Sequence, residues 1–450
     1  MKKIRIGSGA GFAGDRLEPA LELMEKGNLD YIIFECLAER TVALGQEDKI
    51  KDPDTGYNRL LKRRMEKILP LAKGKGIKVI TNMGGANPEA AAEVTLKIAE
   101  RLGLTGLKIA YITGDDIVEG IEKYYGNKVL ENGSTLYGIK EKIISANAYM
   151  GAEGIVEALG NGADIIITGR VSDPSLTIGP LIHEFNWNVN DNPEEMGQGI
   201  LAGHILECAG QVTGGYFADP GFKEVPNLEK LGFPLIEIDE TGKFTITKVE
   251  GTGGVVTVDT CKEQLVYEIH NPKEYLTPDG IADFSKVEFT QTSENTVKAE
   301  KANSWGKPDN LKVTIAYRDG FMSVGEISYG GSNCLKRAEL AGGIVEKRLE
   351  IMGIKPEELR IDYIGYNSLY KRNISDLISE YLPSEVRLRI CARVLDIETA
   401  HLIADEVETL YTNGPAGGGG AEKRVDEIIS VCSIFVPRED VKSIVSYLEV

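Results

Sequence analysis

Lys3-Ile4-Arg5-Ile6-Gly7-Ser8-Gly9-Ala10-Gly11-Phe12-Ala13-Gly14-Asp15-Arg16-Leu17-Glu18-Pro19 is the stretch on which the reading of the fold turns. An apolar, strand-like run leads into Gly9, Gly11 and Gly14, which spell G-x-G-x-x-G. Twenty-one residues after Gly14, Glu35 closes a second strand-like run, Tyr31-Ile32-Ile33-Phe34. Read literally, this is a dinucleotide fingerprint, with an acid placed for a ribose hydroxyl. In a true fingerprint the helix begins inside the glycine triplet, so that its first amides face the pyrophosphate. Here the helix-start signals come later. Asp15 is placed as an N-cap, Glu18 follows three residues on as in a capping box, and Pro19 suits a first turn. The glycines are therefore expected in a loop at the carboxyl end of the first strand, facing an anion or substrate. An oxidoreductase using NAD or FAD through Gly9, Gly11 and Gly14 stays as the alternative.

Outward from this stretch, short β-rich runs alternate with helical patterns. Strands are expected at 4–8, 31–36, 77–82, 107–113, 143–146 and 163–168, and helices at 17–26, 58–73 and 88–102, with a further one at 194–209. That alternation predicts a mostly parallel sheet flanked by helices, preferably open and doubly wound. Near residue 222 the texture changes. Asp239-Glu240-Thr241-Gly242 is a turn-rich spacer consistent with a β-hairpin, and Arg318-Asp319-Gly320 reads as the turn of another, since Asp-Gly readily takes positive φ. Helices at 335–352, 374–381 and 397–411 then interleave with strands at 359–366, 385–395 and 427–436. The expected organisation is an α/β domain over 1–222 carrying the site and an α+β domain over 223–450 with ferredoxin-like parts.

With 450 residues the chain is long for a single core. Its net charge of −18, from 51 basic and 69 acidic residues, opposes nucleic acid and anionic membrane surfaces as partners. A small anionic substrate is compatible with it, because local cations and backbone amides override the mean field. The 51 glycines exceed the roughly 7% of an average protein and suit a site built from loops. Six cysteines lie scattered without a C-x-x-C pair, the amino terminus runs straight into a strand, and no apolar run approaches a membrane span. These features predict free thiols and a cytoplasmic location, and base rates predict a homo-oligomer, a dimer by default.

In an open α/β sheet, ligands bind beyond the carboxyl ends of the strands. Those ends carry Ser8–Asp15, then Glu35-Cys36-Leu37-Ala38-Glu39-Arg40, Asn82-Met83-Gly84-Gly85-Ala86-Asn87, Gly114-Asp115-Asp116 and Gly169-Arg170-Val171-Ser172-Asp173. Arg170 offers a planar fork to a carboxylate or phosphate, or pairs with Asp173. As a clamp, its replacement by Met should abolish binding with little loss of stability. Asp173 either moves a proton or caps the helix that starts at Pro174. Glu35 is a general base if desolvation raises its pKa, or a partner of Arg40. Asn82 and Asn87 either orient a carbonyl or hydroxyl of the substrate or stabilise their own turn, beside Gly84 and Gly85. His204, Glu207 and Cys208 share a helix face. His204 is a catalytic candidate there, although a buried thiol beside a helical imidazole is the plainer reading. A metal would need a further ligand that no motif supplies. Two more glycine clusters, Gly251-Thr252-Gly253-Gly254 and Gly414 to Gly420 with Lys423 and Arg424 nearby, suit either an anion nest or a mobile loop. Neither is a P-loop.

At these motifs the chain resembles the acyclic terpene utilisation (AtuA) family. The resemblance rests on 8–16, 29–41, 82–88 and 162–173, on Gly203-His204 with Glu207-Cys208, and on 414–420, so it spans nearly the whole chain. Where the family more commonly has Arg-Val-Ala-Asp-Ala-Ser, this chain has Arg170-Val171-Ser172-Asp173-Pro174-Ser175. It is expected to end at the family's core, without the extra domain of some relatives. The resemblance implies catabolism of branched or terpenoid acids, often as acyl-CoA thioesters, in the company of carboxylases and hydratases. It implies no reaction and no cofactor. The expected function is a lyase, hydratase or hydrolase on a carboxylate or acyl-CoA. Glu35, Asp173 and His204 are its catalytic candidates, and Gly9, Gly11, Gly14, Arg16, Asn82, Gly84, Gly85, Asn87 and Arg170 its substrate contacts. A non-catalytic subunit working with a small companion protein is a further alternative.

Overall fold

The computed structural model describes residues 1–378 and 382–450. The expected helix at 374–381 is seen as Lys371–Ile378, and its last three residues lie outside the described residues. The chain divides into two compact units, 1–316 with 431–450, and 317–430.

The first unit is built on a ten-stranded sheet. Its parallel part contains β1 (Lys3–Ala10), β2 (Tyr31–Phe34), β3 (Lys78–Thr81), β4 (Lys108–Thr113) and β6 (Ile165–Thr168). The strand β5 (Ile143–Ala148) leaves this sheet and pairs with β14 (Asn310–Gly330). The parallel strands Tyr-Ile-Ile-Phe, Lys-Val-Ile-Thr and Ile-Ile-Ile-Thr are apolar on both faces, as a sheet covered on both sides requires. Alternate side chains feed two cores. Ile6, Tyr31, Ile33 and Ile166 enter one with α5 (Glu153–Gly160), α6 (Ser175–Phe185) and α7 (Pro193–Glu207). Ile32, Phe34, Val79 and Ile167 enter the other with α1 (Glu18–Lys26), α3 (Leu61–Lys75) and α4 (Pro88–Arg101). The remaining helix of this half, α2 (Glu39–Lys51), follows β2 directly. Because β6 inserts between β3 and β4, the winding reverses there and the following helices cover the second face.

Past residue 222 the same sheet continues. The hairpin expected around 239–242 forms from β7 (Pro234–Asp239) and β8 (Phe244–Lys248), and β7 pairs antiparallel with β1. After α8 (Val258–Val266), β9 (Tyr275–Thr277), β10 (Gly280–Asp283) and β13 (Asn303–Trp305) form a three-stranded sheet of their own. The strands β12 (Thr296–Glu300) and β11 (Glu288–Ser293) extend the main sheet at its β8 edge, and β18 (Ile444–Glu449) closes the other edge against β4. The division expected at 222/223 thus falls between strands that share one sheet.

The expected hairpin around Arg318-Asp319-Gly320 is corrected: one strand, β14, runs through all three residues. Gly320 does take a positive φ of 89°, but uses it to pass the backbone of the neighbouring strand, where a Cβ would lie 2.3 Å from the Val394 carbonyl oxygen. The second unit runs from β14 through α9 (Cys334–Ile351), β15 (Glu358–Ile364), α10 (Lys371–Ile378), β16 (Glu385–Val394) and α11 (Ile397–Glu408) to β17 (Gly418–Pro437). Its strands lie in the order β15-β16-β14-β17. The glycines Gly418 to Gly420 open β17 rather than form a loop, and Lys423 and Arg424 are engaged by Asp405, Glu408 and Asp426.

Candidate active site

The glycine stretch folds as a loop before the helix. Gly9 lies inside β1, where a Cβ would meet the Phe34 ring at 2.4 Å. Gly11 packs on the backbone of Cys208, with only 2.4 Å to its carbonyl carbon for any Cβ. None of the three glycines has a positive φ. Asp15 does not cap α1, whose N-cap is Leu17 without a side-chain bond. Its carboxylate instead folds back to accept the Gly11 N–H at 2.9 Å and the Arg16 N–H at 2.8 Å. A negative charge therefore sits on the amide a pyrophosphate would need, which argues against the dinucleotide reading.

A cleft of about 550 Å³ opens at the carboxyl ends of β1, β2 and β6. Gly11, Glu35, Arg170 and Asp173 line it together, joined by Glu39, Tyr149, Glu207 and Lys312. Glu35 follows β2 and is 8% exposed. One of its oxygens accepts the Leu37 N–H at 2.9 Å and the Asn82 Nδ2 at 3.0 Å. Burial pushes its carboxyl up to about 8 and the nearby Asp173 charge adds to this, while Arg170, Leu37 and Asn82 offset it only in part. At neutral pH Glu35 thus holds its proton.

Arg170 is 1% exposed. Its Nε donates to the Val171 carbonyl at 2.8 Å, and its two Nη atoms reach Leu37 O, Val171 O and the Asp173 carboxylate. Of five guanidinium N–H groups, one remains on Nη1. Asp173 is thereby occupied with Arg170 and does not cap α6, whose N-cap is Pro174. Burial raises the Asp173 carboxyl and Arg170 opposes that. Asp115, after β4, accepts the Arg170 N–H at 3.0 Å and Asn147 Nδ2 at 2.8 Å, and burial pushes it up to about 6. Tyr149, from the end of β5, stacks under the Arg170 guanidinium at 4.4 Å and lies 4.8 Å from Lys312 Nζ. Its hydroxyl donates to Glu39, which also pairs with Lys312 at 3.1 Å. Burial opposes ionisation of Glu39, yet the Tyr149 hydroxyl and Lys312 hold its carboxyl down at about 2. Lys312 is the partly exposed cation of the cleft.

His204 is fully buried and does not line the cleft; Glu207 does. His204 Nδ1 lies 2.8 Å from Glu207 Oε1, and its Nε2 bonds the Leu265 carbonyl at 3.1 Å. Burial lowers the His204 pKa, but the Glu207 carboxylate and these bonds outweigh it and raise it. Burial also raises Glu207, against the pull of His204. The Cys208 thiol is pushed well above its ordinary value by burial, with Glu207 adding to it, so it is no activated nucleophile.

The other expected contacts lie elsewhere. Asn82, Gly14 and Gly85 line a neighbouring cleft. Asn87 accepts the Ala90 N–H at the start of α4 and donates to Pro53 and Thr55 carbonyls, a structural role. Gly84 presses on β6, where a Cβ would lie 2.4 Å from the Thr168 carbonyl oxygen. Arg16 Nη1 bonds the Leu228 carbonyl at 3.2 Å, away from the cleft. Gly254 packs against the Thr213 carbonyl, not an anion. Tyr149, Glu39 and Lys312 were missed, since only the tertiary fold brings them beside Arg170. Among the described residues no group of three or more His, Cys, Asp and Glu could hold a metal, and no helix is long and apolar enough to cross a membrane. All six cysteines are free.

A family model described as acyclic terpene utilisation family protein AtuA matches residues 4–447. No curated protein and no solved structure matches the chain.

Proposed function

From the premise that this chain belongs to the AtuA family, we propose that it is a catabolic enzyme that moves a proton on a branched or terpenoid carboxylate or its acyl-CoA thioester. Lyase, hydratase and hydrolase chemistry all need such a group. The observation that carries this reading is the convergence of two buried carboxyls, Glu35 and Glu207, and the half-buried Asp173 on one cleft that also holds a partly exposed cation, Lys312.

In this reading Glu35 is the acid and base. Its proton is retained near neutrality, and its place at a strand end lets it reach a ligand. Lys312 and the last N–H of Arg170 meet the ligand's negative oxygen, while Arg170 chiefly sets Asp173 in place. His204 acts through Glu207. Support for a ferredoxin-like second unit comes from its strand order β15-β16-β14-β17 and from a βαββαβ order once the extra helix α10, between β15 and β16, is set aside. The free thiols support a cytoplasmic location.

A thermal-shift screen of organic acids and acyl-CoA thioesters, with and without divalent cations, tests the reading. Stabilisation is expected from acids and thioesters, and it should weaken in Lys312→Met. A screen in which none shifts the melting temperature contradicts it.

A further inference from the structure

A second cleft, of about 450 Å³, abuts the first, and Ala13, Leu37 and Thr41 line both. The two differ in chemistry. The first gathers Glu35, Glu39, Arg170, Asp173, Glu207 and Lys312. The second has walls of Leu44, Leu60, Met83 and Tyr57, and its charged residues, Asp48 and Arg59, neutralise each other at 3.0 Å near solvent. Part of its lining carries no side chain at all. Gly45 and Gly56 press together so closely that a Cβ on Gly45 would lie 2.8 Å from the Gly56 carbonyl oxygen, and Gly85 takes a positive φ of 57° with the same oxygen 2.8 Å from its Cβ position. The backbone is thus packed tight behind the slot, while the slot itself is left wide.

We propose that this second cleft is an apolar subsite that holds the hydrocarbon chain of the substrate while its carboxyl or thioester head lies in the first cleft. The inference rests on the head-group reading above and adds a requirement on the substrate: a chain long enough to pass Ala13, Leu37 and Thr41. A polar ligand gains little from the slot, because Asp48 is paired with Arg59, Asn58 is held by Ala13 and Leu60, and Asn82 by Cys36 and Glu35. A chain gains by removing its own apolar surface and that of Leu44, Leu60 and Met83 from water.

Titration calorimetry with saturated straight-chain and 3-methyl-branched acids of roughly four to twelve carbons tests this, since burying each methylene should tighten binding about fourfold until the slot is full. Leu44 lines the slot alone and is 41% exposed, so Leu44→Trp fills space there without disturbing a core. Leu60 also lines the slot alone and is partly exposed, which makes Leu60→Trp an independent block. The expected result is a steep chain-length gain in the native protein that both variants truncate, with short acids bound as before. Short acids that bind while added carbons bring no gain overturn the subsite and leave the head-group reading standing. A chain-length gain unchanged in both variants also overturns the subsite. If no acid binds at any length, both readings fall.

Discussion

Replacing Glu35 by Gln should make the protein more stable, and increasingly so as the pH rises. Unfolded, the carboxyl loses its proton near 4.5; folded, near 8. Between those values the folded chain keeps a proton that the unfolded chain has released, so native stability falls as pH rises through the window and the full cost is reached above about 8. About 3.5 pH units at about 1.4 kcal/mol each gives roughly 5 kcal/mol as the upper size of the effect. Gln carries no charge in either state, and its carbonyl oxygen can still accept from Leu37 N–H and Asn82 Nδ2. For a unit comprising 1–316 and 431–450, an unfolding entropy of about 2.1 cal/mol/K per residue converts this to roughly 7 °C. Scanning calorimetry of both proteins from about pH 5 to 9 reads the difference directly. The two melting temperatures should nearly coincide at the acid end and separate as pH rises. A separation that stays constant with pH, or that shrinks, refutes the view of Glu35 as a carboxyl held protonated by burial.

Arg170→Met should cost about 1–3 kcal/mol in urea denaturation, because it leaves the half-buried Asp173 carboxylate without its partner and the buried Leu37 and Val171 carbonyls without donors; an unchanged midpoint would show the guanidinium to be dispensable. Gly11→Ala forces the glycine loop off the Cys208 backbone and should destabilise by about 1–3 kcal/mol. A normal melting temperature for that variant would mean the close approach is not needed. Millimolar NAD should leave the melting temperature unmoved, since Asp15 occupies the Gly11 amide; a rise corresponding to about 2.7 kcal/mol, the gain at a hundredfold excess over Kd, would restore the dinucleotide reading.

The parallel core was legible because β2, β3 and β6 are short apolar runs between helical patterns, a signal that needs no tertiary context. The strand-end rule also found Glu35, Arg170 and Asp173, which do meet in one cleft. What it could not decide was each residue's partner. Asp173 before Pro174 has the local form of a helix cap, but a buried guanidinium three residues away outcompetes a backbone amide for its carboxylate. The Asp-Gly at 319–320 has the form of a hairpin turn, yet positive φ is equally useful for close passage beside another strand. Tyr149 and Lys312 follow no motif. They reach the cleft because β5 leaves the main sheet to pair with β14, where the Tyr149 N–H meets the Lys312 carbonyl at 2.9 Å. Sequence alone expects the replacement of Arg170 by Met to spare stability, whereas the burial of the guanidinium predicts a loss.

In the proposed function a carboxyl at position 35 moves a proton on a carboxylate or acyl thioester. Proton NMR in D₂O, following branched acids and their CoA thioesters with the native protein and with Glu35→Gln, measures product formation and exchange of carbon-bound hydrogen together. Turnover or exchange is expected with the native protein, and a loss of about a hundredfold or more in the variant, which still binds the ligand. Equal rates in the two proteins, or a native protein that binds these ligands and leaves them unchanged, would contradict it.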